Sequence, residues 1–171
     1  MALIVEDGSG LPGADSYVEV SYIDTYAAAY GKTGWAALTE PDKEIKARQA
    51  TQFADNMYLN EFNPLKTDQR LAVPATNMKI RGNPVTGVPV QLKDAIAELA
   101  VIAITTSLVD VQTARNAVQR TVKVGDVSKS ETFANDGYRK VFHPVEMLLR
   151  PILGNTTKIG DGVSQFEMQR A

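Results

Sequence analysis

The longest nearly unbroken apolar segment of the chain runs from Val88 to Val109 and reads V-P-V-Q-L-K-D-A-I-A-E-L-A-V-I-A-I-T-T-S-L-V. Its apolar residues recur at steps of three and four, a spacing that predicts a helix over about 89–109. Ala97, Val101 and Ile104 make the opposite face apolar as well. Because a helix that is apolar all round is buried on most sides, we expect it to be the centre of a small, mainly α-helical bundle.

The composition limits the kinds of metal site, disulfide and catalytic site that the chain can form. The 171 residues include no cysteine and a single histidine, His143, and the formal net charge is −2. Disulfides and thiolate metal sites are therefore excluded, and histidine metal clusters are too. The chain also lacks a phosphate-binding glycine loop, a G-x-S-x-G elbow and a complete calcium loop. The sequence thus predicts a protein that is not an enzyme and carries no metal or cofactor.

Helix signals flank the central helix on both sides. Capping patterns at Ser21 and Thr39 predict helices over 22–30 and 40–59, and Pro144 predicts a last helix over 145–153. Four prolines follow the second helix, at 64, 74, 84 and 89, so we expect a long structured loop with a short helical turn around 67–71. The single tryptophan, Trp35, is interpreted as a core residue rather than a stacking platform.

Three further segments are expected to extend from a single domain that spans 1–154. Residues 1–20 are rich in glycine and aspartate and predict an extended N-terminal arm. Alternating residues over about 117–133, with Gly125-Asp126 as a turn, predict a β-hairpin, which would be marginal by itself. Residues 155–171 form a polar tail with apolar anchors, typical either of a segment that orders on a partner or of a frayed terminus.

Charge is uneven along the chain. Residues 1–40 contain six acids and one base, a net charge of −5, whereas residues 41–90 contain five acids and seven bases, a net charge of +2. Such an asymmetry could favour head-to-tail contact between subunits. Solvated surface faces are the simpler interpretation of the same pattern.

Several of these segments together resemble a known family. They are the opening V-E-D-G-S-G-L-P-G-A-D-S-Y-V at 5–18, the segments 35–38, 47–51 and 71–74, V-P-V-Q-L-K-D-A-I-A-E-L-A at 88–100, 122–127, and 143–153. The chain is similar here to tailed-phage neck proteins, the group often labelled putative DnaT-like single-stranded-DNA-binding protein and similar to head–tail connector (adaptor) proteins. The resemblance covers about residues 3–154.

The resemblance implies a ring, typically of twelve copies, which lies beneath the portal protein in the virion neck and extends the channel for double-stranded DNA. The ring would offer a surface to a downstream neck, stopper or tail protein. On this interpretation the tail docks on the portal through Ile159, Val163, Phe166 and Met168. The arm contacts neighbouring subunits through Val5, Leu11, Pro12 and Tyr17. Candidate basic residues of the DNA channel are Arg115, Arg120, Lys123 and Lys129.

The label also implies an alternative function, a single-stranded-DNA-binding module. Such modules combine a basic groove with interleaved aromatic side chains. In this sequence the basic residues are dispersed, and the aromatic residues occupy helix positions that look like core. Both interpretations remain open at the level of the sequence.

Overall fold

The computed structural model describes residues 2–109, 118–124, 127–133 and 142–153, and it describes the two segments between 118 and 133 by their backbone. Within these residues lie five helices and four strands. The helices are α1 (Val20–Ala29), α2 (Thr33–Ala36), α3 (Glu40–Met57), α4 (Val90–Ile102) and α5 (His143–Leu153). The strands are β1 (Lys79–Ile80), β2 (Asn83–Pro84), β3 (Val118–Val124) and β4 (Val127–Phe133). The prediction of a mainly helical bundle with a β-hairpin is confirmed.

Helix α4 lies at the centre and packs against α1, α3 and α5. Every residue from Ala95 to Ala100 is buried, including Glu98, so the all-round apolar pattern was interpreted correctly. The helix ends at Ile102, however, seven residues before the predicted end. A turn over Ala103, Ile104 and Thr105 follows, and the helix does not resume at Thr106 and Ser107, because residues with β-branched or hydroxyl side chains have low helix propensity.

The predicted start is correct for α3 and wrong for α1. Thr39 caps α3 as expected, since its hydroxyl oxygen accepts a hydrogen bond from the Asp42 amide at 3.4 Å. Ser21 does not cap α1. That helix begins one residue earlier, at Val20, and the Ser21 hydroxyl donates to the carboxylate of Glu19 at 3.1 Å. Burial of Val20 outweighs the local capping preference.

The loop between α3 and α4 contains one small antiparallel hairpin, β1–β2, and no helix. The helical turn predicted around 67–71 is wrong. Instead the Gln69 amide group donates to the carbonyls of Leu71 and Pro74 at 2.6 and 2.9 Å and accepts from the Lys66 amide at 2.9 Å. One side chain therefore satisfies three backbone groups of the loop.

Helix α5 begins at His143, two residues before the predicted start, and closes the bundle. Val145, Leu149 and Ile152 are buried as expected, whereas Leu148 is only half-buried. No helix in the described residues is long and apolar enough to cross a membrane.

Candidate functional site

The N-terminal segment contains no helix, as expected, but it folds back on itself instead of extending away from the bundle. The Glu6 carboxylate is 3% exposed and accepts hydrogen bonds from the amides of Gly8, Gly10 and Leu11 at 2.8–2.9 Å. The Glu6 amide donates in turn to the Ser16 carbonyl at 2.9 Å. One buried acid thus closes residues 4–16 into a loop, which we call the Glu6 loop.

The Glu6 loop packs against the segment that precedes α4. Gly8 has a φ of +96°, and a Cβ atom there would lie 3.1 Å from the Cα of Gly87. Two glycines 79 positions apart therefore allow the two backbones to touch, which a side chain at Gly8 would prevent.

Tyr17 joins the loop to the bundle. Its hydroxyl donates to the carboxylate of Asp55 in α3 and accepts from the Val73 amide at 3.0 Å. Burial raises the pKa of Tyr17, and the neighbouring Asp55 charge acts in the same direction. Burial also raises the pKa of Asp55. Of the four predicted arm residues, Tyr17 is fully buried, Val5 and Leu11 are half-buried and Pro12 is exposed; that they contact another subunit stays a prediction.

Two tyrosines of α1 bind two carboxylates of α4. The hydroxyl of Tyr22 donates to Asp94 at 2.7 Å, and that of Tyr26 donates to Glu98 at 3.2 Å. Glu98 is 6% exposed, and Lys32 balances its charge with an ion pair at 2.8 Å. Sequence inspection missed this arrangement. Its only signal was the four-residue spacing shared by the two tyrosines and the two acids.

Trp35 is buried as predicted, and its ring has two polar neighbours. The indole N–H donates to Asp24 at 2.7 Å, and the Lys43 ammonium, which pairs with the same Asp24 oxygen at 2.7 Å, lies 5.8 Å from the ring centroid. Burial raises the pKa of Asp24, but the hydrogen bonds from Lys43 and Trp35 outweigh that effect and lower the pKa overall.

Three of the predicted channel residues lie in the hairpin, and they occupy positions on two different faces of it. In the β3–β4 register Arg120 lies opposite Glu131, Lys129 lies opposite Val122, and Lys123 lies opposite Ser128. Positions two apart in a strand share a face. Arg120 and Lys129 therefore occupy positions on one face and Lys123 a position on the other.

The remaining predicted residues lie outside the described parts of the chain. They are Arg115 in the channel set and the whole docking set of the tail, Ile159, Val163, Phe166 and Met168.

Among the described residues no group of three or more acids or histidines could hold a metal ion. A groove between α3 and the segment after α4 is lined by Phe53, Met57, Ile104 and Leu108 together with amide and hydroxyl side chains. Lys46 is the one ionisable residue in its lining, which contains no carboxylate and no imidazole.

A family model with the description "Putative DnaT-like ssDNA binding protein" matches residues 1–171. No curated protein and no solved structure matches the chain. Since the family match spans the whole sequence given, this protein belongs to the family of putative DnaT-like ssDNA binding proteins.

Proposed function

We propose that this protein is a non-enzymatic structural subunit of a phage head–tail connector, a ring that extends the DNA channel below the portal and joins it to the next neck or tail protein. The observation that carries the ring is the hairpin. Strands β3 and β4 pair with each other over seven residues and with no other strand in the described structure. Two unpaired strand edges are templates for pairing with another chain.

The sequence of the hairpin supports the same conclusion. Its register places Val118, Val122, Val124, Val127 and Phe133 at positions on one face, interspersed with the charged Arg120, Lys129 and Glu131, and only uncharged polar residues and Lys123 at positions on the other. No described helix packs along this hairpin. A two-stranded hairpin is at best marginally stable in water unless its apolar face is covered. Neighbouring subunits of a ring would supply that cover.

Sedimentation and negative-stain imaging of the purified protein, with and without portal, test this proposal. We expect ring-shaped particles that stack on the portal. A variant in which a short Gly-Ser linker replaces 118–133 should sediment as a monomer and keep the helical circular dichroism of the parent. Wild-type protein that stays monomeric with portal present, or a variant that still forms rings, would contradict the proposal.

A second candidate function is single-stranded-DNA binding. The family description favours it, and does so more directly than it favours a connector. The described aromatic side chains offer little exposed surface on which bases could stack, because Tyr17, Tyr26, Trp35 and Phe53 belong to the core. Tyr30 is an exception, with 64% of its surface exposed. Nanomolar binding of single strands by a monomer, with affinity falling steeply as salt rises, would favour this function. Weak, sequence-independent DNA binding by a ring would suit the connector.

A further inference from the structure

A cluster of cations lies where the β1–β2 turn meets the end of α5. Lys79, Arg81 and Arg150 are all exposed. The amide of Arg81 donates to the carbonyl of Pro151 at 3.4 Å, and β1 packs against α5. This hydrogen bond also satisfies a carbonyl in the last turn of α5, which has no partner within its own helix. We call Lys79, Arg81 and Arg150 the basic edge.

The charge of the basic edge is not compensated nearby. No acid occurs in 78–88 or in 147–153. The nearest acid along α5, Glu146, is turned toward His143, 3.8 Å away, and its side chain is only 13% exposed. Within the described residues none of the three cations forms an ion pair, whereas Lys32, Lys43 and Arg48 all do.

The backbone at Arg81 is unusual. Arg81 and Gly82, the two central residues of the turn, have φ values of +50° and +86°. Two-residue hairpin turns with positive φ at both positions favour Asn-Gly or Asp-Gly. An arginine in the first position therefore has a conformational cost that asparagine would avoid. An arginine at positive φ motivates the hypothesis that its side chain has a role.

We propose that the basic edge binds the phosphate backbone of DNA. This inference deepens the DNA contact that both candidate functions require, and it rests on one of them being correct. Neither 78–88 nor 147–153 contains an aromatic residue, so the edge has no side chain on which a base could stack. Contacts to phosphate alone fix position without reading sequence. The edge is thus suited to sequence-independent binding of single or double strands.

A simpler role accounts for only part of this cluster. A cation in the last turn of a helix stabilises the helix dipole, which would explain Arg150 alone. It does not explain Arg81 in a turn that prefers asparagine, or Lys79 on the adjoining strand. An acidic protein surface is the other class of partner that three cations could bind, and the experiment below separates the two.

The test uses the full chain and two triple variants that change net charge equally. K79Q/R81Q/R150Q removes the basic edge, and K46Q/K66Q/R70Q removes three cations from other parts of the surface. Anisotropy of a fluorescein-labelled 30-mer of thymidine and of a 30-base-pair duplex is followed from 50 to 200 mM KCl. At 50 mM the first variant should lose about tenfold or more in affinity, and its salt slope should fall by about 2 for the single strand. The control should stay within about threefold of wild type.

A single variant separates binding from folding. Asparagine accepts positive φ more readily than arginine, so Arg81→Asn should leave the melting temperature unchanged or raise it while weakening DNA binding several-fold. If R81N and the basic-edge triple variant bind both probes as tightly as wild type, or if wild type binds neither probe, the inference is overturned.

Ring formation is recorded in parallel, so the two proposals can fail separately. A basic-edge variant that forms rings but loses DNA affinity supports both. If the wild-type protein is monomeric and binds DNA through the basic edge, the connector proposal is wrong and the DNA-binding role of the basic edge is supported. A variant that keeps DNA affinity but no longer binds portal would make the edge a protein-docking surface and overturn the inference.

Discussion

The hydroxyl of Tyr17 donates a hydrogen bond to the carboxylate of Asp55 and thereby ties the Glu6 loop to α3. The same oxygen accepts from the Val73 amide, and the second Asp55 oxygen accepts from the Ala72 amide at 3.1 Å. One phenol and one acid therefore connect the N-terminal loop, the third helix and the proline-rich loop.

Removing the Tyr17 hydroxyl should destabilise the fold. Tyr17→Phe would leave the Val73 amide and an Asp55 oxygen buried without partners, at a cost of about 3 kcal/mol in the free energy of unfolding. Urea unfolding followed by circular dichroism measures this change. The matched control is Tyr30→Phe, which removes a hydroxyl from a side chain that is 64% exposed and should cost less than about 0.5 kcal/mol. Equal losses in the two variants would contradict this account of Tyr17.

The Glu6 loop should depend on the carboxylate of Glu6. Glu6→Gln keeps the shape but replaces one acceptor oxygen by an amide group that donates, so the Gly8, Gly10 and Leu11 amides could not all be satisfied. We expect about 2 kcal/mol of destabilisation, concentrated in the loop. Hydrogen exchange of these three amides should accelerate before that of α4. Asp7→Asn is the control, because Asp7 is exposed and its hydrogen bonds are made locally, with the amide and side chain of Ser9 and its own backbone. Unchanged exchange in E6Q would contradict the role of Glu6.

Stability should fall in alkali because of the tyrosines that face α4. Burial raises the pKa of Tyr22 to about 12, and its hydrogen bond to Asp94 acts in the same direction. Between the ordinary tyrosine pKa of about 10 and this value, the unfolded chain has lost a proton that the folded chain keeps. The free energy of unfolding therefore decreases as pH rises through this range.

Urea titrations at pH 9, 10, 11 and 11.5 measure that decrease. Tyr22→Phe removes one titrating group, so its stability should fall less steeply with pH than that of wild type. Both proteins should show the same pH dependence below pH 9. A slope unchanged by the substitution would mean that Tyr22 titrates alike in both states.

The tail prediction can be tested by truncation. Deleting 155–171 should abolish binding to portal while the circular dichroism and the unfolding midpoint stay close to those of the full chain, because α5 ends at Leu153. Co-sedimentation with portal rings measures the first, and thermal melts measure the second. Truncated protein that joins portal rings normally would show that the tail does not dock.

Much of the fold could be predicted because its signals are local. The Thr39 cap, the apolar periodicity of α4 and the alternation in the hairpin each depend on residues a few positions apart. Where local signals competed with burial, burial prevailed, as at Val20, which starts α1 ahead of the capping residue that the sequence suggested.

The polar contacts could not be predicted in the same way. The Tyr22–Asp94 and Tyr26–Glu98 hydrogen bonds each join residues 72 positions apart. Nothing within either helix identifies its partner. The basic edge could not be predicted for the same reason. Arg81 and Arg150 belong to segments that are far apart in the sequence, and only the packing of α5 against β1 brings these segments together. Sequence inspection instead selected Arg115, Arg120, Lys123 and Lys129, the last three of which lie in the hairpin.

The 72 positions that separate the tyrosines of α1 from the acids of α4 have a consequence for folding during synthesis. When α1 leaves the ribosome, the carboxylates that its tyrosines need have not yet been made. At about 5–20 residues per second the interval is roughly 4–14 s. A ten-residue helix is marginal without tertiary packing, so α1 has little structure of its own during that time. The hydrogen bonds that join α1 to α4 therefore form only after Asp94 and Glu98 have been synthesised.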